Sequence, residues 1–145
     1  MAGSIYKWTA AGKKVAICDL TQAELSSNGT VATRREEAEA AARKLGVFER
    51  INLQMPDRGL FMTNEHIRMV TEVIRTYKPR LVFAPYFKDR HPDHGHCAEL
   101  VKEAYFSAGI GKYSVDSEAS AHKAGNLFFY FINNQPAPDF VVDIS

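Results

Sequence analysis

Arg80-Leu-Val-Phe-Ala-Pro-Tyr-Phe-Lys-Asp-Arg-His-Pro-Asp-His94 is the stretch whose reading decides the fold. Leu81-Val-Phe-Ala84 is short, apolar and partly β-branched, which predicts a buried strand. Pro85 ends that strand, and a polar loop follows. After His91-Pro-Asp-His94 the apolar residues Cys97, Leu100, Val101 and Ala104 take helical spacing. Pro92 suits a first helical position, where its missing N–H costs nothing. It also biases His91 toward an extended backbone. Two imidazoles and a carboxylate therefore fall where a strand's carboxyl end meets a helix start. In open α/β sheets that is the edge where ligands bind.

Residues three apart at a helix start project to one side. His91 and His94 can thus face one pocket, with Asp93 close enough to orient an imidazole, as a carboxylate behind a metal-bound histidine does. The positive end of the helix favours neutral imidazole, the form that binds a metal. The plain alternative is a polar helix cap carrying surface histidines.

Working outward, Ser4 to Ala11 reads as a helix with Ile5 and Trp8 on one face, closed by Gly12. Residues 14–20 read as a strand in which Cys18 is a small apolar residue. Ser26-Ser-Asn-Gly29 signals a turn. Thr33 to Leu45 reads as a helix capped by Thr33, with Glu36 completing a capping box. Ala38, Ala41, Ala42 and Leu45 form its buried face, and Gly46 ends it. Residues 50–53 are a short strand, and Asp57-Arg-Gly59 is a turn. Asn64 caps a helix with the stripe Ile67, Val70, Val73 and Ile74. His66 and His122 read as inert. The helix after His94 ends near Gly109, and strands are expected at 127–132 and 139–144. Alternating strands and helices predict one α/β domain over residues 1–145, a Rossmann-like parallel sheet with helices on both faces. The chain opens on a helix with no strand before it, so an N-terminal strand is expected to be missing.

Composition narrows the function. The formal charge is +1 over 145 residues, with no basic stripe carrying interleaved aromatics, so nucleic acid is not an expected partner. No apolar run has membrane-spanning length, and no signal peptide is visible. The expected location is therefore cytoplasmic, with no membrane partner. Cys18 and Cys97 make neither a disulfide framework nor a zinc-finger spacing.

Four stretches together resemble the LmbE/PIG-L family of metal-dependent N-acetylglucosaminyl deacetylases. They are Ile17 to Thr30, Arg34-Arg-Glu-Glu-Ala38 running to Val47, Asn52 to Gly59, and Phe83 to His94. The likeness is greatest to the bacillithiol-pathway members, which remove acetyl from N-acetylglucosaminyl-malate. The resemblance implies a small acetylated amino sugar as substrate and a divalent metal, most often zinc, as cofactor. It leaves room for a homo-oligomer. It also implies roles. His94 is a metal ligand. His91 is the acid or electrophilic histidine facing the tetrahedral intermediate. Asp93 is the orienting carboxylate of the catalytic set. Arg34 binds substrate, and Glu24 and Asp57 line the pocket. The family's other signature, a His-Pro-Asp-Asp segment with two further ligands and the general base, has no counterpart here. The chain therefore reads as an internal piece truncated at both ends, and an inactive fragment without a metal site of its own is the main competitor to an active enzyme. A His-Pro-Asp chaperone-partner module of the J-domain kind would be all-helical. A nucleotide-binding protein would show a glycine-rich phosphate loop after a strand, and none is present.

Overall fold

A computed structural model describes all residues, 1–145. The chain is α/β, in the order α1 (Ala2–Ala10), β1 (Ala16–Thr21), α2 (Val31–Lys44), β2 (Glu49–Met55), α3 (Asn64–Tyr77), β3 (Leu81–Pro85), α4 (Pro92–Ala108) and β4 (Asn126–Tyr130). Four of the five expected strands are present, and the His-Pro-Asp segment follows β3, which removes the all-helical reading. All strand pairing is parallel. It is confined to two pairs, β1 with β2 and β3 with β4. The chain forms two compact units, Met1–Asp57 with Pro136–Ser145, and Arg58–Gln135.

In the first unit, β1 and β2 run in register from Ala16 opposite Glu49 to Asp19 opposite Asn52, then slip so that Thr21 faces Met55. Asn52 fills the irregularity: its amide donates to Thr21 O at 2.8 Å and its carbonyl accepts from Gln54 N at 2.8 Å. Arg50 makes a forked pair with Asp19, at 2.6 and 3.0 Å, and donates to Ala38 O of α2 at 3.0 Å. One guanidinium thereby ties both strands to the helix. Two expectations need correction. Helix α2 is capped by Thr30, not Thr33, and Thr33 itself takes the reciprocal capping-box position expected of Glu36. The short Thr33 side chain reaches back to accept from the Thr30 N–H at 2.7 Å. The run 139–144 forms no strand. Val141 is 78% exposed and no strand edge pairs with the run, so its apolar residues have no ladder to join. Gly46, with φ of +66°, supplies the left-handed residue that ends α2.

In the second unit, β3 and β4 pair without interruption from Leu81 opposite Asn126 to Pro85 opposite Tyr130. Pro85 is thus the last residue of the strand and not its breaker, because only its own N–H is missing and the next one, Tyr86 N–H, still reaches Tyr130 O at 2.9 Å. Helix α3 is capped by Thr63 and not by Asn64: the Thr63 hydroxyl accepts from His66 N at 3.1 Å. Its stripe packs on α4, burying Val70 and Ile74 against a face containing Ala98, Leu100, Val101 and Ala104. Arg75 is buried on the same stripe. Its guanidinium donates to Ser107 O, Ala108 O, Ile110 O and Tyr113 O, the carbonyls where α4 ends and the chain leaves it. The last carbonyls of a helix have no partner within it, and Arg75 reaches two of them, Ser107 O and Ala108 O, together with two just beyond the helix end, so a charged side chain in the core meets acceptors on every side.

Candidate active site

The site is built at the start of α4. Pro92 occupies the first helical turn and His91 is the N-cap, extended at φ −89° and ψ 116°. Its Nδ1 accepts from Asp93 N at 3.3 Å. Three residues on, His94 lies against it: the rings stack with centroids 4.9 Å apart and planes 27° apart. The one-sided projection expected from the spacing is present. Gly95 keeps the preceding loop close, since a Cβ there would meet Phe87 O at 3.0 Å.

Asp89 stands behind the imidazoles. Its side chain is 3% exposed. Oδ1 accepts from His91 N at 2.9 Å and from the Asn133 amide at 2.8 Å, and it lies 3.0 Å from His94 Nδ1. Oδ2 accepts from Asn133 N at 3.1 Å. The His91 amide, followed by the Asn133 and His94 bonds, holds the carboxyl well below the usual range. It is therefore ionised at neutral pH and can only accept, so His94 Nδ1 is the donor.

Asp93 does not orient either imidazole. Its carboxylate accepts from Arg58 N at 2.7 Å and from the Arg58 guanidinium at 3.3 Å, and His96 Nδ1 is 3.6 Å away. The second helical position turns this side chain toward the Arg58 turn, whereas Asp89, in the loop, reaches His94. Asp93 is 6% exposed, and it fixes Arg58 in the left-handed region at φ +61°, unusual for a residue with a Cβ. Burial, then the Asp93 charge, pushes the Cys97 thiol up to about 12.

Arg58, Arg90, His91, Pro92, His94, Ile132 and Asn133 line an open cavity of about 580 Å3. Arg58 is paired with Asp93. The sequence reading did not single out Asp89, Arg58, Arg90 or Asn133. Asp89 had a local signal, an aspartate two residues before an N–H it can bond, as in an Asx turn. Asn133 had none, being 44 residues away from Asp89.

The other expected site residues lie in the first unit. Glu24 Oε1 accepts from Asp57 N at 2.6 Å, and Asp57 Oδ2 accepts from Leu25 N at 3.2 Å. The two carboxylates clasp each other's backbone, and the Asp57 amide holds the Glu24 carboxyl below its usual range. Arg34 donates to Ser26 Oγ at 2.9 Å and pairs with Glu37 at 3.3 Å, leaving its buried Nε without a partner. His66 Nδ1 and His122 Nε2 lie within bonding distance of backbone carbonyls, Phe61 O and Pro79 O, in keeping with structural roles.

A catalytic zinc takes three protein ligands. No three His, Cys, Asp or Glu side chains are grouped to hold a metal ion. His94 suits a single ligand position, with Asp89 behind Nδ1 and Nε2 without a protein partner. The residues of this chain therefore do not by themselves fit the whole metal site.

Three comparisons bear on this geometry. Diacetylchitobiose deacetylase of Thermococcus kodakarensis is 29% identical over 160 residues, which take in 100% of this chain and 58% of that protein. The crystal structure of the conserved protein TT1542 from Thermus thermophilus superposes with a TM-score of 0.94 at 38% identity, covering 99% of this chain and 65% of its own. The N,N'-diacetylchitobiose deacetylase of Pyrococcus horikoshii, solved with its inhibitor MPG, gives 0.87 at 26% identity, covering 100% and 58%. The chain thus spans between half and two thirds of the length of these relatives. The sequence pattern of the family PIG-L (GlcNAc-PI de-N-acetylase) matches residues 1–105, from α1 through the His91–His94 segment and most of α4, and the chain belongs to that family.

Proposed function

We propose that this chain carries the imidazole face of a deacetylase acting on an N-acetylated amino sugar. The observation that carries the reading is the stacked His91–His94 pair at the mouth of a cavity, inside the part of the chain that matches the PIG-L family. In this reading His91 stabilises the oxyanion or protonates the leaving amine. His94 offers Nε2 as one ligand of a divalent metal, zinc by the family resemblance, whose remaining ligands this chain does not group. Asp93 acts at one remove, by holding Arg58 at the cavity, and Arg34, Glu24 and Asp57 serve the substrate.

Two of the three relatives are named for diacetylchitobiose, a neutral sugar. N-acetylglucosaminyl-malate, an anionic one, is the substrate we favour, because Arg58 and Arg90 both line the cavity beside the imidazoles. A guanidinium binds carboxylate through forked hydrogen bonds. The test is release of free amine from the two substrates by the full gene product, side by side. Faster turnover of the malate conjugate supports the reading, and preference for diacetylchitobiose overturns the substrate. His91→Ala should lower turnover by about 10²–10⁴-fold. An unchanged rate would remove His91 from the chemistry.

A second reading, that these 145 residues alone are inert, is favoured by the donor set, since one imidazole is a weak hold on zinc. Equilibrium dialysis of this chain against zinc separates the two. One tightly bound ion per chain would refute the inert reading.

A further inference from the structure

The Asp89 carboxylate gathers four hydrogen bonds from three places in the sequence, and no other carboxylate in the chain receives as many. We propose that Asp89 is a positioning residue that sets the tautomer of His94 and joins the two walls of the cavity. The inference deepens the reading of His94 given above, and its test does not depend on that reading.

The His91 and Asn133 main-chain N–H groups and the Asn133 side-chain amide can only donate, so Asp89 must present oxygen to all three. The remaining partner, His94 Nδ1, meets the same Oδ1 and must also carry a hydrogen. That leaves Nε2 as the unprotonated nitrogen of an imidazole that lines the cavity. Free imidazole side chains prefer the opposite tautomer, with the hydrogen on Nε2, so the preference here has to be imposed. The same carboxylate fixes His91 through its backbone and Asn133 through both its backbone and its amide. Asn133 belongs to the loop after β4, and His91 to the start of α4, so the walls of the cavity meet on one side chain. Asparagine cannot replace it. Its amide nitrogen would face either the Asn133 N–H or three donors at the other position.

The experiment is nitrogen-15 NMR of imidazole-labelled chain, at a pH where His94 is neutral, with His94→Gln to assign the signal. The expected wild-type result is a pyrrole-type Nδ1 and a pyridine-type Nε2. In Asp89→Ala the pattern should move to the Nε2–H form, with the backbone amide spectrum reporting whether the fold persists. If Asp89→Ala unfolds, Asp89→Ser decides, since its hydroxyl can still accept the His91 N–H but is too short to reach His94 Nδ1 and should also lose the Nδ1–H bias. Asn133→Ala removes one side-chain bond and should leave the His94 tautomer as in wild type. A wild-type His94 in the Nε2–H form, or a folded Asp89 variant with the tautomer unchanged, would overturn the proposal.

Discussion

Helices α2 and α4 begin in the same way and end up with different tasks. Each follows a parallel strand and a polar loop, and each starts at a side-chain cap on an extended residue. At α2 the cap is Thr30, closed by Thr33 in an exposed capping box, and behind it only Ala42 of the helix is buried. At α4 the cap is His91, and behind it seven helix residues are buried, Asp93 among them. A hydroxyl cap serves its helix and nothing more. An imidazole cap leaves a second nitrogen and a ring face for chemistry, and it needs fixed neighbours to be of use. Asp89, the carboxylate behind His94, has a near-buried side chain that supplies such a neighbour. What separates scaffold from site is the cap residue and the packing behind it, while the strand–loop–helix frame is shared.

The comparison can be attacked first through the packing. Leu100 is fully buried on α4. Leu100→Ala should cost about 2–5 kcal/mol, read by urea unfolding. A loss under about 1 kcal/mol would mean that α4 is no better anchored than α2.

Next comes alkaline pH. The folded Cys97 thiol stands at about 12 against a reference of 9.0. Its folded value is raised, so the stabilisation is complete below pH 9 and is lost as pH climbs toward 12. The loss amounts to about 4 kcal/mol at most. Cys97→Ala should flatten the fall in stability between pH 9 and 11 relative to wild type, and equal slopes would count against a buried thiol at this place. Iodoacetamide should leave Cys97 unmodified at pH 8 until the chain unfolds.

Asp93→Ala strands the Arg58 N–H and its guanidinium. We expect a loss of about 1–3 kcal/mol, with the His94 nitrogen signals unchanged, because Asp93 does not touch that ring. A change in the His94 tautomer would return the orienting role to Asp93.

The caps themselves give a smaller effect. Thr30→Ala should cost about 1 kcal/mol. His91→Ala should cost less, since its cap bond is 3.3 Å long, yet it should damage turnover far more. Equal stability losses with equal activity would erase the distinction between the two helix starts. The smallest effect is expected at exposed Glu36, where alanine should change stability by no more than about 0.5 kcal/mol. A larger loss would reinstate it as the partner in the α2 capping box.

Much of this was legible in the chain of residues. Strands and helices follow from local periodicity, and Pro92 with Gly46 mark element ends through backbone limits that no distant contact alters. The His91–His94 pairing follows from helical spacing alone. Cap identity at α2 and α3 was missed by one to three residues, because several hydroxyl and amide side chains compete for the same N–H groups and small differences in φ and ψ decide between them. The run 139–144 read as a strand because its apolar residues suit one, but a strand also needs an edge to pair with, and pairing is a tertiary matter. The same holds for the carboxylates. Asp93 is nearer His94 in sequence, and only the packing of α4 turns it to Arg58. Asp89 and Asn133 meet across 44 positions, and Arg75 finds the end of α4 from another helix. Spacing along the chain determines what one element presents. Which buried charge meets which donor is decided by packing, since every partner must be satisfied at once in a space that water does not enter.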